Sequence, residues 1–255
     1  MIQLDNICFS HIANDGTSVP TLQNLDMHIR ENEFVSIVGP SGCGKTTLLE
    51  IILGLTRQDS GNVRINGATQ NQTFGWAGYM SQSDTLLPWR TVLRNVQIGP
   101  EIKKIPKTEY EPRINKLIQK VGLTGNETRF PSELSGGMKK RVDLIRTLAF
   151  NPEVLLLDEP FGALDAQTRE NLQQDLLSLW REEKKTIVFI THDLVEAIMM
   201  SDRIFLMGSK PAGIKKIFDI QIPRPRQYHV QFEESFIRLH KHIRQTFESL
   251  SGNQS

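Results

Sequence analysis

Residues 34–49 read Phe34-Val-Ser-Ile-Val-Gly-Pro-Ser-Gly-Cys-Gly-Lys-Thr-Thr-Leu-Leu49. The run 34–38 is short and nearly all apolar, which predicts a buried strand. A glycine-rich turn follows, and residues 46–55 have helical character. Between strand and helix, Gly39 to Thr46 matches G-x-x-x-x-G-K-[ST] in the context that motif requires. Its glycines let the backbone turn N–H groups inward around phosphate oxygens, and the positive end of the helix dipole favours the same anion. The predicted contacts are Gly39, Pro40, Ser41, Gly42, Cys43, Gly44, Lys45, Thr46 and Thr47. Lys45 would reach the β- and γ-phosphates, and Thr46 would present its hydroxyl to Mg²⁺. Read alone, the stretch supports a nucleoside triphosphate site without specifying its chemistry. Cys43, inside the loop near helix N–H groups that favour a thiolate, is expected to react with alkylating reagents and to be protected by nucleotide.

Outward from this loop, strands and helices alternate. Ile2, Leu4, Ile7 and Phe9 begin one strand, and Leu22, Leu25, Met27 and Ile29 mark another. Asn66-Gly67 predicts a hairpin between Val63-Arg-Ile65 and a strand near residues 74–80. Residues 86–150 turn helical, with Ile114, Leu117, Ile118 and Val121 at helical spacing, as are Met138, Val142, Ile145 and Ala149. Pro100, Pro106, Pro112 and Pro131 are expected to divide this stretch into separate helices. Strand-like runs resume at 154–157, 186–190 and 203–207, separated by helical segments near 167–180 and 194–200. Such alternation predicts an α/β fold with a largely parallel sheet covered on both faces. After Pro223-Arg-Pro-Arg226, the residues Phe232, Phe236, Leu239, Ile243, Phe247 and Leu250 form an amphipathic stripe that reads as a helix packed back on the domain.

Composition removes several function classes. The 255 residues carry a formal charge of +1, which argues against a dedicated nucleic-acid binder. Two cysteines make no disulfide framework and point to a reducing compartment. The start Met-Ile-Gln-Leu-Asp has neither basic flank nor apolar segment, so no signal peptide is expected. No apolar run approaches the roughly 20 residues of a membrane-spanning helix. Work at a membrane would require docking on other subunits.

Two further stretches carry chemistry. Val154-Leu-Leu-Leu157 runs into Asp158-Glu159, and the C-terminal end of such a strand is where an open α/β sheet places ligands. Adjacent carboxylates there suit a cation and a reacting water: Asp158 toward Mg²⁺, Glu159 as general base. Upstream, Ser135-Gly-Gly137 opens a helix, so its N–H groups form a second anion site.

Leu134-Ser-Gly-Gly-Met138, followed by Lys139, Lys140 and Arg141, resembles the signature motif of ABC ATPases. Other elements of that family follow in order: Gln82 in Tyr79-Met-Ser-Gln82 resembles the Q-loop glutamine, Asp165 in Gly162-Ala-Leu-Asp165 the D-loop, and His192 in Thr191-His-Asp193 the switch histidine. The resemblance covers roughly residues 1–226. It implies a P-loop NTPase (RecA-like) core of 1–83 and 154–226, with an antiparallel β subdomain and an inserted α-helical subdomain, 84–153. Residues 227–255 would be a C-terminal helical tail. It also implies ATP and Mg²⁺, with Glu159, His192, Lys45 and Gln82 catalytic and Thr46, Gln82 and Asp158 at the metal. Ser135, Gly136, Gly137 and Asp165 would act across a head-to-tail homodimer. The implied partners are integral-membrane permease subunits and, indirectly, an extracytoplasmic solute-binding protein, with the chain peripheral on the cytoplasmic face of the cell membrane. The family's adenine-stacking aromatic falls by spacing at His11, with Phe9 two residues earlier; which of them stacks, and whether GTP serves as well, stays open.

Leu86-Leu-Pro-Trp-Arg-Thr-Val92, Asp158-Glu-Pro-Phe-Gly-Ala-Leu-Asp-Ala-Gln-Thr-Arg169 and Pro223-Arg-Pro-Arg226 resemble the nitrate/sulfonate/taurine branch of bacterial importers. Within it aliphatic sulfonates are the first expectation, with taurine, nitrate or a pyrimidine vitamin precursor as alternatives. A non-transport ABC ATPase would normally carry a second nucleotide domain or a long coiled-coil insertion. A simple P-loop kinase or GTPase would lack the Leu-Ser-Gly-Gly element and the switch histidine.

Overall fold

The computed structural model describes residues 1–69, 75–162 and 164–251. The chain divides into two units, Met1–Phe74 with Thr186–Ser255, and Gly75–Lys185.

In the first unit, β1 (Ile2–Ile12) and β2 (Ser18–Ile29) form a long antiparallel hairpin whose register sets Leu4 opposite Met27 and His11 opposite Val19. The strand β3 (Phe34–Val38) is buried along its whole length, as its apolar run predicts. It leads into α1 (Lys45–Leu53), which ends at Gly54 in the left-handed region. There glycine carries no Cβ penalty and its N–H closes the last turn. β4 (Ser60–Ile65) and β5 (Ala68–Thr69) pair through Asn66 (φ 51°) and Gly67 (φ 79°), the two positive-φ residues of the predicted hairpin turn. β2, β1, β4 and β5 make one antiparallel sheet.

The hairpin expected between 63–65 and a strand near 74–80 is corrected: the turn is there, but its partner is the short β5, and the strand in that later range pairs in parallel elsewhere; Phe74 lies outside the described residues. The second unit opens with β6 (Ala77–Met80), followed by α2 (Val92–Ile102), α3 (Lys107–Lys120), α4 (Gly136–Leu148), β7 (Val154–Asp158) and α5 (Ala166–Glu183). β6 and β7 pair in parallel, Met80 beside Leu157. The helical segment expected over 84–153 lies inside this unit. Two prolines depart from the expectation that each divides helices: Pro100 lies inside α2 and Pro112 inside α3. Pro100 stands two residues from its helix end and Pro112 five residues from its helix start, so each removes one i→i−4 hydrogen bond from a helix that continues past it. Pro106 does precede α3, and Pro131 opens a 3₁₀ turn.

The rest of the first unit is β8 (Thr186–Ile190), α6 (Leu194–Met200), β9 (Arg203–Met207), β10 (Ile214–Asp219) and α7 (Glu234–Ser251). β3 lies parallel to both β8 and β9, with Ile37 beside Ile190 on one side and Phe205 on the other. β10 closes against β9 antiparallel. Phe34 and Phe189 meet edge to face at 5.9 Å. Under α7, its Phe236 and Ile243 join Val38, Ile198, Leu206 and Phe218 in one apolar cluster, with Leu239, Phe247 and Leu250 packed against it. The tail therefore covers the domain, as its stripe predicts. Phe232 is the exception: it sits in the 3₁₀ turn before α7 and is 68% exposed.

Pro223-Arg-Pro-Arg226 acts through its arginines. Arg226 is 3% exposed and donates to the carbonyls of Ile198 (2.8 Å), Ser201 (2.6 Å), Ile220 (3.2 Å) and Ile222 (2.9 Å). Arg224 donates to Met200 O and to Asp202. Together they satisfy carbonyls at and just beyond the end of α6, where the helix leaves acceptors without intrahelical donors.

Candidate functional site

The phosphate loop is shaped by close approach. A Cβ on Gly39 would lie 2.9 Å from Cys43 Sγ and 3.0 Å from Met207 Cβ. Gly44 has φ 108°, and a Cβ there would lie 2.8 Å from Thr21 Cγ2 and 3.0 Å from Leu22 Cδ2. Only glycine meets both demands, the contact and the backbone angle. Lys45 is buried, and its Nζ donates to Gly39 O (2.9 Å) and Pro40 O (3.0 Å), so the ammonium spans the loop. Ser41, Gly42 and Thr46 are exposed, and Pro40 and Thr47 half-buried. The loop thus presents Ser41, Gly42 and Thr46 to solvent at the start of α1, where the helix's positive end favours an anion.

Cys43 does not behave as its position in the loop suggested. It is 2% exposed, its sulfur packs against Gly39, and burial raises its pKa, against the opposing charge of Lys45. The side chain is buried, and the favourable pull of the Lys45 ammonium and backbone on the thiolate is the smaller effect. Desolvation therefore outweighs the dipole, and the thiolate expectation is corrected to an inert buried thiol.

The switch turn belongs to the same unit. Thr191 Oγ1 donates to Glu196 Oε2 (2.7 Å) and accepts from Asp193 N (3.0 Å), while Asp193 caps α6 through the N–H groups of Val195 and Glu196. Both neighbours of His192 are thereby fixed, and the exposed imidazole stands on a rigid turn. A cleft of about 420 Å³ lies between His192, Asp193 and Leu194 on one side and His240, Arg244 and Phe247 of α7 on the other. His11 is exposed on β1, opposite Val19, two residues along β2 from the Thr21 that touches Gly44. Phe9 is half-buried opposite Leu22.

In the second unit, Asp158 ends the fully buried β7 and is 3% exposed. Glu159 follows at φ 44°, a left-handed backbone uncommon for a residue with a Cβ. Gln82 Nε2 donates to Glu159 Oε2 at 3.2 Å, so two of the predicted catalytic side chains are joined. Ser135 caps α4 by accepting from Met138 N (3.3 Å), as its reading as a helix start requires. Gly136 is exposed, with nothing within 4 Å of where a Cβ would be, whereas a Cβ on Gly137 would clash with Thr168 of α5. Asp165 caps α5 by accepting from Thr168 N (3.0 Å), which lowers its pKa. One residue, Thr168, therefore ties the signature turn to the Asp165 turn.

Three features escaped the sequence reading. The backbone angle of Glu159 has no marker in a Glu-Pro pair. Asn95, wholly buried in α2, accepts from Leu87 N (2.8 Å) and donates to the carbonyls of Leu87, Arg90 and Thr91, stapling the 86–92 turn. Lys140 and Arg146 of α4 reach the segment after Gln82; the run Met138-Lys-Lys-Arg141 hinted at a role without naming its partner.

The comparisons agree with this geometry. The sequence model of the family described as ABC transporter matches residues 22–162, more than half of the chain. An uncharacterized ABC transporter ATP-binding protein of Methanocaldococcus jannaschii is 49% identical over 212 residues, covering 83% of this chain and 79% of its own. The aliphatic sulfonates import ATP-binding protein SsuB of Bacillus cereus is 38% identical over 247 residues, 97% of this chain and 96% of its own. Among solved structures, the dimeric post-hydrolysis state of the ATP-binding cassette MJ0796, bound to ADP and phosphate, superposes with a TM-score of 0.76 at 31% identity, over 88% of this chain and all of that one. With the family model over more than half of the chain and a relative 38% identical along nearly its whole length, this chain belongs to the ABC transporter family, as an ATPase.

Proposed function

We propose that the chain is the ATP-hydrolysing subunit of an importer for a small organic anion, aliphatic sulfonates first, working as a head-to-tail homodimer beneath permease subunits. One observation carries the dimer: the helix start at Ser135–Gly137 is a second anion-binding N-terminus, capped within the chain yet open at Gly136. A chain with one phosphate loop and one such free helix start supplies both halves of a composite site when two copies face each other. The sulfonate reading rests on the near full-length match to the Bacillus protein. The permease, the solute-binding protein and the cytoplasmic membrane face follow from the same reading. Among the described residues no helix is long and apolar enough to cross a membrane.

The residues fit ATP and Mg²⁺. A Cβ at Gly39 or Gly44 would collide with packed side chains, so only glycine lets the loop keep this path, and Lys45 offers a buried ammonium that donates to two loop carbonyls. Thr46, Gln82 and Asp158 offer hydroxyl, amide and carboxylate oxygens, the donor set Mg²⁺ prefers, and they would hold it. When bound, the ion neutralises phosphate charge. Lys45 and the loop N–H groups hold the triphosphate and stabilise charge developing on it. Glu159 orients the attacking water and takes its proton, and Gln82 fixes that carboxylate by donating to it. His192 donates to the terminal phosphate from its fixed turn. His11 supplies the adenine contact, with the smaller area of an imidazole.

Replacing Glu159 with Gln is expected to leave ATP binding intact, lower kcat by at least about 100-fold, and yield an ATP-dependent dimer in size-exclusion chromatography. A variant hydrolysing at the normal rate would remove Glu159 from the base role, and one that stays monomeric with ATP would remove the composite site. For the cargo, ATPase activity of the assembled transporter should rise with an alkanesulfonate on its binding protein; stimulation by unrelated solutes alone would overturn that assignment.

A further inference from the structure

One stripe of α4 carries Lys140, Asp143 and Arg146, spaced three residues apart, and among the described residues its side-chain hydrogen bonds and ion pairs outside the helix go to residues 82–85. Lys140 is 6% exposed; its Nζ donates to Gln82 O at 2.9 Å and pairs with Asp84 Oδ1 at 3.2 Å. Arg146 donates to Thr85 O at 2.7 Å, to Thr85 Oγ1 and to Asp143 Oδ1. Asp143 is 1% exposed, and its Oδ2 has no hydrogen-bond partner among the described residues. A cation and a carboxylate are thus buried on a helix face with a second cation, Arg146, half-buried beside them, which is costly unless each is paired. Segment 82–85 cannot leave α4 without stripping those charges, so segment and helix move as one body. The same helix begins at Ser135, and Gln82 reaches Glu159 from the other end of this connection.

We propose that Lys140, Asp143 and Arg146 are positioning residues that latch the Gln82 segment to the signature helix, so that a displacement of Ser135–Gly137 is delivered to the Gln82–Glu159 hydrogen bond. This rests on the roles given above to Gln82 and Glu159. The latch acts on turnover, not on nucleotide affinity, because none of its three side chains belongs to the phosphate loop. It predicts that the effect of Lys140 is felt only through Gln82.

The test is a double-mutant cycle of Lys140→Met with Gln82→Ala in the full chain, following kcat for ATP and the Kd of a fluorescent ATP analogue. Lys140→Met is expected to lower kcat about ten-fold and to change Kd less than about two-fold, a displacement-sized effect. In the Gln82→Ala background it should cost less than about two-fold more. Lys140→Gln, which keeps a donor for the Gln82 carbonyl, should retain more activity than Lys140→Met and carries the same cycle if the methionine variant fails to fold. An equal loss in both backgrounds overturns the latch alone. Wild-type kcat in Lys140→Met also overturns it. Wild-type kcat in Gln82→Ala overturns the role of Gln82 and the latch with it.

Discussion

Arg226→Met isolates what the late Pro-Arg-Pro-Arg stretch does for the fold. The substitution keeps much of the aliphatic volume and deletes a guanidinium that serves four carbonyls closely and that of Met199 at 3.5 Å. Hydrogen bonds from a charged donor contribute about 1.5–3 kcal/mol each, and a buried acceptor left without a donor costs about 1–3 kcal/mol. Relief of the buried charge offsets part of this. Counting the acceptors at Ile198 and Ser201 as fully orphaned, and those at Ile220 and Ile222 as partly recovered by water, gives a net loss of about 3–5 kcal/mol. For a chain of this size, 1 kcal/mol shifts Tm by about 2–4 °C, so a drop near 10 °C is expected. Burial, helped by Arg224, lowers the Arg226 pKa to about 10. The folded value lies below the unfolded one, so the unfolded chain binds more protons only above about pH 10. Between pH 6 and 9 both forms are charged, and the difference between wild type and variant should not change with pH. Thermal unfolding followed by circular dichroism at three pH values tests both statements. A Tm drop under about 3 °C would refute the carbonyl count, and complete rescue by Arg226→Lys would refute the need for a planar fork.

Other expectations can be checked as directly. Asn95→Ala removes four hydrogen bonds, but Leu87 O keeps the N–H of Arg90 and Thr91 O keeps the N–H of Asn95. That leaves Leu87 N–H and Arg90 C=O unpaired, a loss of about 2–4 kcal/mol in urea unfolding, with faster tryptic cleavage after Arg90. At pH 8, iodoacetamide should label Cys8, which is half-buried, and spare Cys43 until the chain unfolds; rapid, ATP-protected labelling of Cys43 in peptide mapping would restore the thiolate reading.

Local chemistry made most of the fold legible. The β3–turn–α1 unit needs no distant information, because its glycines and apolar run act on themselves. Asn66-Gly67, Gly54 and the caps Ser135 and Asp165 are similar: each satisfies backbone groups within four residues. What stayed illegible depends on sequence-distant partners. Asn95 looks like any helical asparagine until the 86–92 turn folds over it. Lys140 and Arg146 look like a solvated charged face until residues 82–85 arrive. Cys43 departs from its sequence reading because the helix dipole is visible in sequence and the burial of the sulfur beside Gly39 is not. Pro100 and Pro112 each forfeit one i→i−4 bond without dividing their helices, because the apolar packing on either side, which no local rule shows, outweighs that loss.

The backbone of Glu159 has an evolutionary consequence. At φ 44°, an L side chain costs on the order of 1–3 kcal/mol, whereas glycine rests there at ease. A library at position 159 sorted only for survival of heating should therefore enrich glycine, and its winners would be durable and inert. Sorted for growth on the imported nutrient, the same library should return the carboxylate and accept the lower melting temperature. The two outcomes pull one codon in opposite directions, which makes this residue a gauge of which pressure a laboratory lineage has felt.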